Sequence, residues 1–191
     1  MSRAGPGRAG AGGPITLADY DAVWLDELVP MWRASFEAGV GIVVPHPLEG
    51  QRQYFLDHVL PQNAVCLALR GPQLLGFAAA SRESVAQLFV RVGEQRHGIG
   101  TQLLDWAKRR SDGSLWLYTF ARNRGARSFY ARSGFTEIAH GFEPTWKLDD
   151  VKLQWSGAHG ASWLRSDHMS TFVETRQQEE LSRAQRTRRQ R

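Results

Sequence analysis

The chain has 191 residues, and its 42% hydrophobic content suffices for the core of one domain of ordinary size but not for two. Its apolar stretches are far shorter than the roughly 20 residues of a membrane-spanning helix, so we expect no membrane partner, and the N-terminus lacks the apolar segment of a secretory signal. A single cysteine, Cys66, excludes an internal disulfide framework and favours a reducing, cytoplasmic location.

The formal net charge of +5 belongs to the two ends of the chain. Residues 1–14 carry two arginines and no acid, and residues 174–191 carry six arginines against three glutamates, so the residues between them are neutral overall. A groove that follows a nucleic-acid backbone needs basic side chains on the folded body, so we expect no nucleic-acid partner. The rival hypothesis is nucleic-acid binding through the Arg-rich end, which would weaken steeply with salt.

Composition divides the chain into three parts. Residues 1–14 are rich in glycine with almost no bulky apolar side chain, so we expect them to be disordered. Residues 157–191 form a polar, Arg-rich tail. The folded domain is therefore predicted over residues 15–156, with Cys66 as a small core residue inside the apolar run 64–69.

The first predicted elements are a short strand and several helical turns. The strand covers Ile15–Leu17. Apolar residues then recur at helical spacing up to Phe36, but Pro30 lies among them, and a proline inside a helix removes a hydrogen bond. We therefore expect two short helices there, or one broken helix, followed by a helix over Leu48–Leu60 that Pro61 ends.

Strands and helices alternate through the rest of the domain. Two apolar runs, Ala64–Leu69 and Leu74–Ser81, flank the turn sequence Arg70-Gly71-Pro72, which predicts a hairpin. The whole pattern favours a mixed α/β sheet with helices on both faces. The later elements are strands at Ser84–Val92, Leu115–Phe120 and Phe135–Ala139, helices at Gly98–Arg110 and Asn123–Arg132, and a last strand at Val151–Trp155 that closes the sheet.

The sequence QRHGIG at residues 95–100 follows an apolar strand and opens a helix. At a helix start, unpaired backbone N–H groups and the positive end of the helix dipole favour an anion. Gly98 and Gly100 place no side chain over those N–H groups, and Arg96 and His97 add charge or hydrogen bonds at the rim. The segment predicts a pyrophosphate site, although its glycine spacing does not match the GxGxxG pattern of dinucleotide-binding proteins.

A second motif, NRGARSFYARSGF at residues 123–135, lies one strand downstream. The GNAT superfamily of acetyltransferases pairs a Q/R-x-x-G-x-G/A loop with a later N-x-x-A-x-x-F/L-Y-x-x-x-G-F segment, and this chain resembles that superfamily over about residues 15–155. The resemblance implies a GNAT-type mixed, mostly antiparallel central sheet flanked by helices on both faces. It also implies that acetyl-CoA is the acyl donor.

The resemblance assigns cofactor-binding roles to three segments. In the family, the strand before the loop splays from its neighbour and its backbone hydrogen-bonds the pantetheine arm, while the loop holds the pyrophosphate. Asn123 would contact the cofactor, with other residues packing along the same helix. The implied cofactor-binding residues are Leu88, Phe89, Val90, Gln95, Arg96, His97, Gly98, Ile99, Gly100, Thr101, Asn123, Ala126 and Phe129.

Tyr130 falls where the family places the general acid. The thiolate of coenzyme A needs a proton as it leaves, and a phenol with a pKa of about 10 can supply one over a hydrogen-bond distance. The alternative interpretation of Tyr130 is an aromatic residue of the helix that packs on the sheet.

The general base is the part of the family pattern that this sequence lacks. Where many relatives carry a carboxylate on the strand before the loop, this chain has Ser84, and where others carry one on the next strand it has Tyr118. Glu83, Glu143 and His140 are substitutes, directly or through water. The remaining alternative is that no dedicated base exists and bulk water deprotonates the amine.

The predicted function is direct acetyl transfer from acetyl-CoA to a primary amine of a small molecule or a protein. The alternative is a non-catalytic acyl-CoA-binding or regulatory module on the same fold, which the missing base favours. No His/Cys cluster has metal-ligand spacing, so no metal is expected. The sequence does not identify the acceptor amine, and it leaves a homodimer open.

The acceptor side is expected to consist of the helices at 18–37 and 48–60 and of the segment Gly141–Trp146. These segments are rich in large aromatic residues, which form either an aromatic wall for the acceptor or, for most of them, part of the core. The residues concerned are Trp24, Trp32, Phe36 and Trp146.

Overall fold

A computed structural model of the chain describes residues 13–157. These residues cover the predicted domain and almost nothing of the two predicted tails, which lie outside the described residues. The limits of the domain therefore stay a prediction.

The first four strands form one antiparallel sheet in the order β1-β2-β3-β4. Strands β2 and β3 form the predicted hairpin, whose turn contains Gly71 with a φ of +55°, a value that favours glycine. The strands are β1 (Thr16–Asp19), β2 (Ala64–Arg70), β3 (Gln73–Ala80) and β4 (Val85–Val90).

The last three strands form a second antiparallel sheet in the order β5-β7-β6. The last strand of residues 13–157 thus lies in the middle of its sheet, paired on both edges. Strand β6 does not pair with β5, and β7 lies between them. The strands are β5 (Ser114–Phe120), β6 (Thr136–Glu143) and β7 (Leu148–Ser156).

Four helices connect and cover these strands. A 3-10 turn, Ala22–Trp24, leads into α1, and α2 continues into a π-helical turn, Phe55–Val59, and a 3-10 turn, Leu60–Gln62. The predicted helix at 48–60 is therefore present as three consecutive segments of different winding. The expectation that Pro61 ends it is wrong, because a proline is tolerated in the first turn of the 3-10 segment Leu60–Gln62. The helices are α1 (Leu25–Val40), α2 (Leu48–Tyr54), α3 (Ile99–Arg110) and α4 (Arg124–Arg132).

Helix α1 is continuous, so the expectation of two short helices or one broken helix is wrong. Pro30 is the sixth residue of α1, and it removes only the hydrogen bond that its own nitrogen would donate to Asp26. The residues on either side of it are buried in the core, so the packing of the helix outweighs that loss. These buried neighbours are Leu28, Val29, Met31 and Trp32.

The helices lie on both faces of the first sheet. Helix α1 and the π-helical turn pack on one face, against Leu67 and Phe77. Helix α3 packs on the other face, where Ile99 and Leu103 meet Ala78. Helices α3 and α4 together cover one face of the second sheet.

Cys66 lies on the α3 face of β2 and is 1% exposed. Burial raises the pKa of its thiol to about 11, so the thiol stays protonated at neutral pH. The prediction that Cys66 is a core residue is confirmed.

The two sheets separate between β4 and β5. A single parallel bridge, Ser84 to Trp116, joins the two strands at their beginnings, and no ladder joins β4 to β5 beyond it in residues 13–157. The pairing of β4 with β3 shifts by one residue beside the bridge, which marks a β-bulge in β4. The strands therefore leave a gap, which we call the split, that opens toward Val90 and Phe120.

Candidate active site

Strand β4 directs into the split backbone groups that pair with no other strand of residues 13–157. Arg91 donates its N–H to the carbonyl of Leu75 at 2.7 Å, so alternate residues of β4 bond to β3. Because hydrogen bonding alternates along an antiparallel strand, the N–H and C=O groups of Leu88 and Val90 point to the opposite edge. The two residues that the resemblance assigned to the pantetheine arm therefore offer their backbone groups to the split.

Helix α1 fixes the end of this edge through one buried hydroxyl group. The Oγ of Ser35 lies 3.0 Å from the carbonyl oxygen of Val90 and 2.8 Å from that of Met31. It can donate its single proton to either oxygen. Sequence analysis did not single out Ser35, since a serine in a helix 55 positions before its partner gives no local signal.

A glycine lets β4 approach β3 closely at the split. A Cβ on Gly76 would lie 2.5 Å from the carbonyl oxygen of Phe89, so any side chain there would push β4 away from β3. The position of Phe89 and Val90 thus depends on a glycine of the neighbouring strand.

The start of α3 has the features of an anion site. Gly98 has a φ of +80° and precedes the helix without any capping side chain, and the first turn holds no acidic residue. The first internal hydrogen bond runs from Gln102 to Gly98, so the N–H groups of Ile99, Gly100 and Thr101 precede it. These donors and the helix dipole favour a negatively charged group.

The loop before α3 exposes its polar side chains. Gln95, Arg96 and His97 are exposed, and Arg96 has a φ of +66°, which is uncommon for a residue other than glycine. Such backbone strain must be held by the surrounding structure. Two ion pairs, Glu27 with Arg91 and Arg70 with Glu94, tie the loop to α1 and to β2.

Helix α4 comes close to the start of α3. A Cβ on Gly100 would lie 3.4 Å from the ring of Phe129 and 3.6 Å from the side chain of Val90. The structure thus brings together one predicted residue from each of the three segments: β4, the α3 start and α4. Ala126 and Phe129 are partly buried against the core of the second sheet.

Asn123 is the N-cap of α4. Its Oδ1 accepts a hydrogen bond from the N–H of Ala126 at 3.1 Å, which stabilises the first turn. Its Nδ2 lies 3.1 Å from the place that a Cβ on Gly39 would take, so Asn123 also lies against α1. This capping role accounts for an asparagine at that position and leaves the predicted cofactor contact a prediction.

Tyr130 is 7% exposed and packs among the apolar residues under the second sheet. Its ring centroid lies 5.1 Å from that of Phe129 and 5.5 Å from that of Phe135. Burial raises the pKa of the phenol well above its ordinary value, so Tyr130 stays protonated at neutral pH. A protonated phenol suits the acid role, and the packing suits the alternative role as well.

Two of the three candidate bases have polar contacts. Glu143 accepts the N–H of Trp146 at 2.6 Å, and His140 is largely exposed, with Nε2 3.8 Å from the carboxylate of Glu137. The third, Glu83, is exposed. At the two positions where relatives carry a carboxylate, the Oγ of Ser84 lies 3.0 Å from that of Ser81, and the ring of Tyr118 lies 5.8 Å from that of Trp116.

Aromatic rings cross the split on the α1 side. Phe36 of α1 lies 6.4 Å from Phe89 of β4 and 6.0 Å from Phe120 of β5, measured between ring centroids. Trp146, from the turn between β6 and β7, lies 5.2 Å from Phe36 and 6.2 Å from His46. Of the predicted aromatic residues, Phe36 and Trp146 line this surface.

The other two predicted aromatic residues belong to the core. Trp32 is 6% exposed and contacts Phe77, and Trp24 is a partly buried neighbour of the same core. Phe36, on the aromatic surface, also packs against this core, so the expectation that core packing employs most of the four residues is confirmed.

The loop between α1 and α2 is tied to α1 by Arg33 and Glu37. Arg33 donates to the carbonyl oxygen of His46 at 2.8 Å and to Gln51 at 2.6 Å. Glu37 accepts the N–H of Val44 at 2.8 Å. These bonds hold His46 beside the aromatic surface, and sequence analysis missed both residues because charged residues on a helix usually face solvent.

Residues 13–157 contain no group of three or more His, Cys, Asp or Glu side chains that could hold a metal ion. Within the same residues, no helix is long and apolar enough to cross a membrane.

A family model and known proteins match this chain. The model described as the acetyltransferase (GNAT) domain matches residues 61–137, which include the split and both motifs. A probable N-acetyltransferase from Mycobacterium tuberculosis is 29% identical over 134 residues, covering 62% of this chain and 74% of that protein.

Solved structures share the fold at low sequence identity. YjaB from Escherichia coli is 20% identical, with a TM-score of 0.63, and the match covers 76% of this chain and 99% of YjaB. PaiA N-acetyltransferase from Thermoplasma acidophilum, solved with coenzyme A, is 17% identical, with a TM-score of 0.61 and coverage of 75% and 99%. In its two motifs, its split sheet and the domain model that matches residues 61–137, the chain is similar to the GNAT acetyltransferases.

Proposed function

We propose that the chain is an N-acetyltransferase that moves the acetyl group of acetyl-CoA directly to a primary amine. One observation carries the proposal: within residues 13–157, the backbone edge of Leu88 and Val90 pairs with no other strand, and it opens beside the uncapped start of α3. An extended amide-containing arm that ends in a diphosphate needs both features next to each other. The complex of PaiA N-acetyltransferase with coenzyme A supports the same donor.

The residues around the split fit such a donor. The backbone of Leu88 and Val90 would pair with the amides of the pantetheine arm, as an added strand pairs with a sheet edge. The N–H groups of Ile99, Gly100 and Thr101 would bind the diphosphate, with Arg96 and His97 at the rim. Gly100 has no side chain that could block the diphosphate. A Cβ there would fill the space up to van der Waals contact with Phe129 and Val90.

The proposed reaction is one direct displacement. The neutral amine attacks the thioester carbonyl, a carbon–nitrogen bond forms and the carbon–sulfur bond breaks. The amine loses a proton to solvent or to a base, and the sulfur gains a proton to leave as a free thiol. The N–H of Val90 would then donate to the carbonyl oxygen as negative charge develops on it, and the amides of the arm would pair with the backbone groups of Leu88.

Tyr130 is proposed to donate the proton that the sulfur receives. Burial raises the pKa of the phenol, which keeps it protonated at neutral pH and also makes it a weaker acid. The same burial supports the packing role. Only a comparison of turnover with binding separates the two.

The acceptor amine is proposed to approach over the aromatic surface of Phe36, Phe120 and Trp146. That surface spans the split on the face opposite α3 and α4, so an acceptor there would reach the thioester from the side away from the diphosphate. The charged residues Arg33 and Glu37 hold the adjoining loop and keep that side open in one conformation. A cytoplasmic location, where acetyl-CoA is made and Cys66 stays reduced, fits this function.

The test has two parts. Millimolar acetyl-CoA should raise the melting temperature, because a ligand that binds only the folded state stabilises it. A panel of primary amines should then release thiol from acetyl-CoA, with the acetylated amine identified by mass. Stabilisation without thiol release for any amine would favour the acyl-CoA-binding module, and the absence of both would contradict the proposal.

A further inference from the structure

Arg70 and Glu94 form a cross-element ion pair at the base of the loop before α3. The Nη1 of Arg70, at the end of β2, lies 3.2 Å and 3.1 Å from the two carboxylate oxygens of Glu94. Their side chains are only 16% and 22% exposed, so water screens this pair less than a surface pair. Neither residue belongs to the motif that predicted the pyrophosphate site.

Glu94 lies directly beside that motif. It precedes Gln95 in the chain, and its Oε2 lies 3.8 Å from the Nδ1 of His97. A carboxylate at this place would repel a diphosphate at the start of α3. It would also draw Arg96 or His97 toward itself and away from the ligand.

Arg70 is the cation that compensates this carboxylate. The nearby Arg91 is committed elsewhere, since it pairs with Glu27 and donates its Nε–H to the carbonyl oxygen of Leu74 at 2.7 Å. Arg70 lies closer to the carboxylate of Glu94 than His97 does, 3.1 Å against 3.8 Å, so the pairing with Arg70 weakens the hold of Glu94 on the rim of the loop.

We propose that Arg70 is a positioning residue for the diphosphate of the acyl donor, acting through Glu94, whose charge it neutralises and whose side chain it anchors. The inference rests on the proposed function, because it takes acetyl-CoA as the ligand of the loop. It requires no contact between Arg70 and the ligand. The negative charge of Glu94 weakens diphosphate binding at the start of α3, and the positive charge of Arg70, at the end of β2, offsets that effect.

The test compares Arg70→Met with the double variant Arg70→Met/Glu94→Gln. Loss of the arginine leaves a carboxylate beside the diphosphate, so the Kd of acetyl-CoA should rise roughly five- to tenfold, as expected for a like charge within about 10 Å. Removal of that carboxylate in the double variant should bring the Kd back to within about twofold of the natural chain. A packing defect at Arg70 would not be repaired by Glu94→Gln.

A truncated donor isolates the electrostatic effect. S-acetylpantetheine has the same thioester and arm without the diphosphate, so Arg70→Met should leave kcat/KM for that donor within about twofold. Arg82→Met is the matched control, since Arg82 pairs with Asp112 at the opposite end of α3 and should change neither donor. Melting curves of each variant show whether it folds.

Glu94→Gln alone keeps the test decisive if Arg70→Met folds poorly. It removes the negative charge with Arg70 in place, so acetyl-CoA should bind at least as tightly as in the natural chain. Looser binding in Glu94→Gln, an unchanged Kd in Arg70→Met, or an equal loss for S-acetylpantetheine would overturn the inference. If the natural chain binds no acetyl-CoA at all, the proposed function fails first, and the two failures are thereby distinguished.

Discussion

The two sides of the split between β4 and β5 are built from different parts of the protein. On the α3 side, the proposed site consists of backbone groups: the edge at Leu88 and Val90, which pairs with no other described strand, and the uncapped N–H groups after Gly98. On the α1 side, it consists of side chains, chiefly the rings of Phe36 and Trp146.

Substitutions should therefore act differently on the two sides of the split. Backbone groups depend on glycines and on strand register, so a donor site made from them leaves a short and recognisable motif. Rings contributed by α1, β5 and the turn before β7 can be exchanged one at a time without moving the backbone. We therefore expect variants of the donor side to fail for every acceptor, and variants of the acceptor side to change only the choice of acceptor.

The largest expected effect is that of Gly100→Asp. It places a carboxylate among the donors of the diphosphate site, so the Kd of acetyl-CoA should rise about 100-fold or more, measured by calorimetry. The fold should survive, because an acid in the first turn of a helix stabilises it by about 0.3–1 kcal/mol and the added Cβ meets only van der Waals neighbours. Gly50→Asp, in the first turn of α2 with open space around it, is the control and should bind normally. Normal binding of acetyl-CoA by Gly100→Asp would show that the loop before α3 is only a turn and does not bind the diphosphate.

The next largest effect is expected from Tyr130→Phe. Loss of the acid should lower kcat roughly 100-fold while the Kd of acetyl-CoA stays within a few-fold. The loss should shrink for an acyl donor whose leaving thiol has a lower pKa. Tyr20→Phe is the control, since the Tyr20 hydroxyl is buried with no hydrogen-bond partner among the described residues and should not affect turnover. An unchanged kcat in a stable Tyr130→Phe protein would remove Tyr130 from the mechanism.

The burial of Tyr130 also predicts that the free energy of unfolding depends on pH in the alkaline range. Because burial raises its folded-state pKa, the unfolded chain loses this proton first, near pH 10. The stability that this group contributes is thus complete below about pH 10 and is lost as the pH rises above it. Denaturant unfolding between pH 9 and 11 should show a smaller decline in Tyr130→Phe than in the natural chain, and equal declines would contradict the burial of the phenol.

A smaller and more selective effect is expected from Trp146→Ala. It removes one ring of the acceptor surface, so kcat/KM should fall roughly tenfold for amines that carry an apolar group. The same variant should leave the Kd of acetyl-CoA and the turnover of a small amine such as ethylamine nearly unchanged. Equal losses for both amines would show that the ring supports the fold rather than the acceptor. Trp106→Ala, on α3 at the opposite face, is the matched control.

The smallest effects are expected from the exposed base candidates. Glu83→Gln and His140→Ala should each keep kcat within about threefold, because both side chains are exposed and the charged neighbour of His140 is Glu137, 3.8 Å away. The pH profile of kcat should then follow the pKa of the amine. A 100-fold fall in kcat in either variant would identify that residue as a dedicated base. The acceptor side would then contribute a catalytic residue.

The sequence predicted the features of this fold that depend on local patterns. The strands and helices were found because their apolar residues repeat with period 2 or 3.6, and the start of α3 because it needs glycine. Strand β6 is longer than expected, reaching Glu143, since most of it is exposed and lacks that alternation. The continuity of α1 across Pro30 was missed because tertiary packing decided it.

The parts of the site that were missed depend on distant partners. Ser35 meets Val90 across 55 positions, and Arg70 meets Glu94 across 24, so neither pair leaves a pattern within one element. The split itself could be expected only from the family resemblance, because the lack of pairing between two adjacent strands has no signature in either strand.

The most direct test of the account is amide hydrogen exchange, residue by residue, with and without acetyl-CoA. The account predicts that acetyl-CoA slows exchange at Leu88, Val90 and Ile99–Thr101 by roughly tenfold or more, since these N–H groups gain ligand partners. Arg91, whose N–H is already bonded to Leu75, should change far less. Binding that leaves Leu88 and Val90 exchanging as before, with protection confined to another part of the fold, would contradict the claim that the split holds the donor.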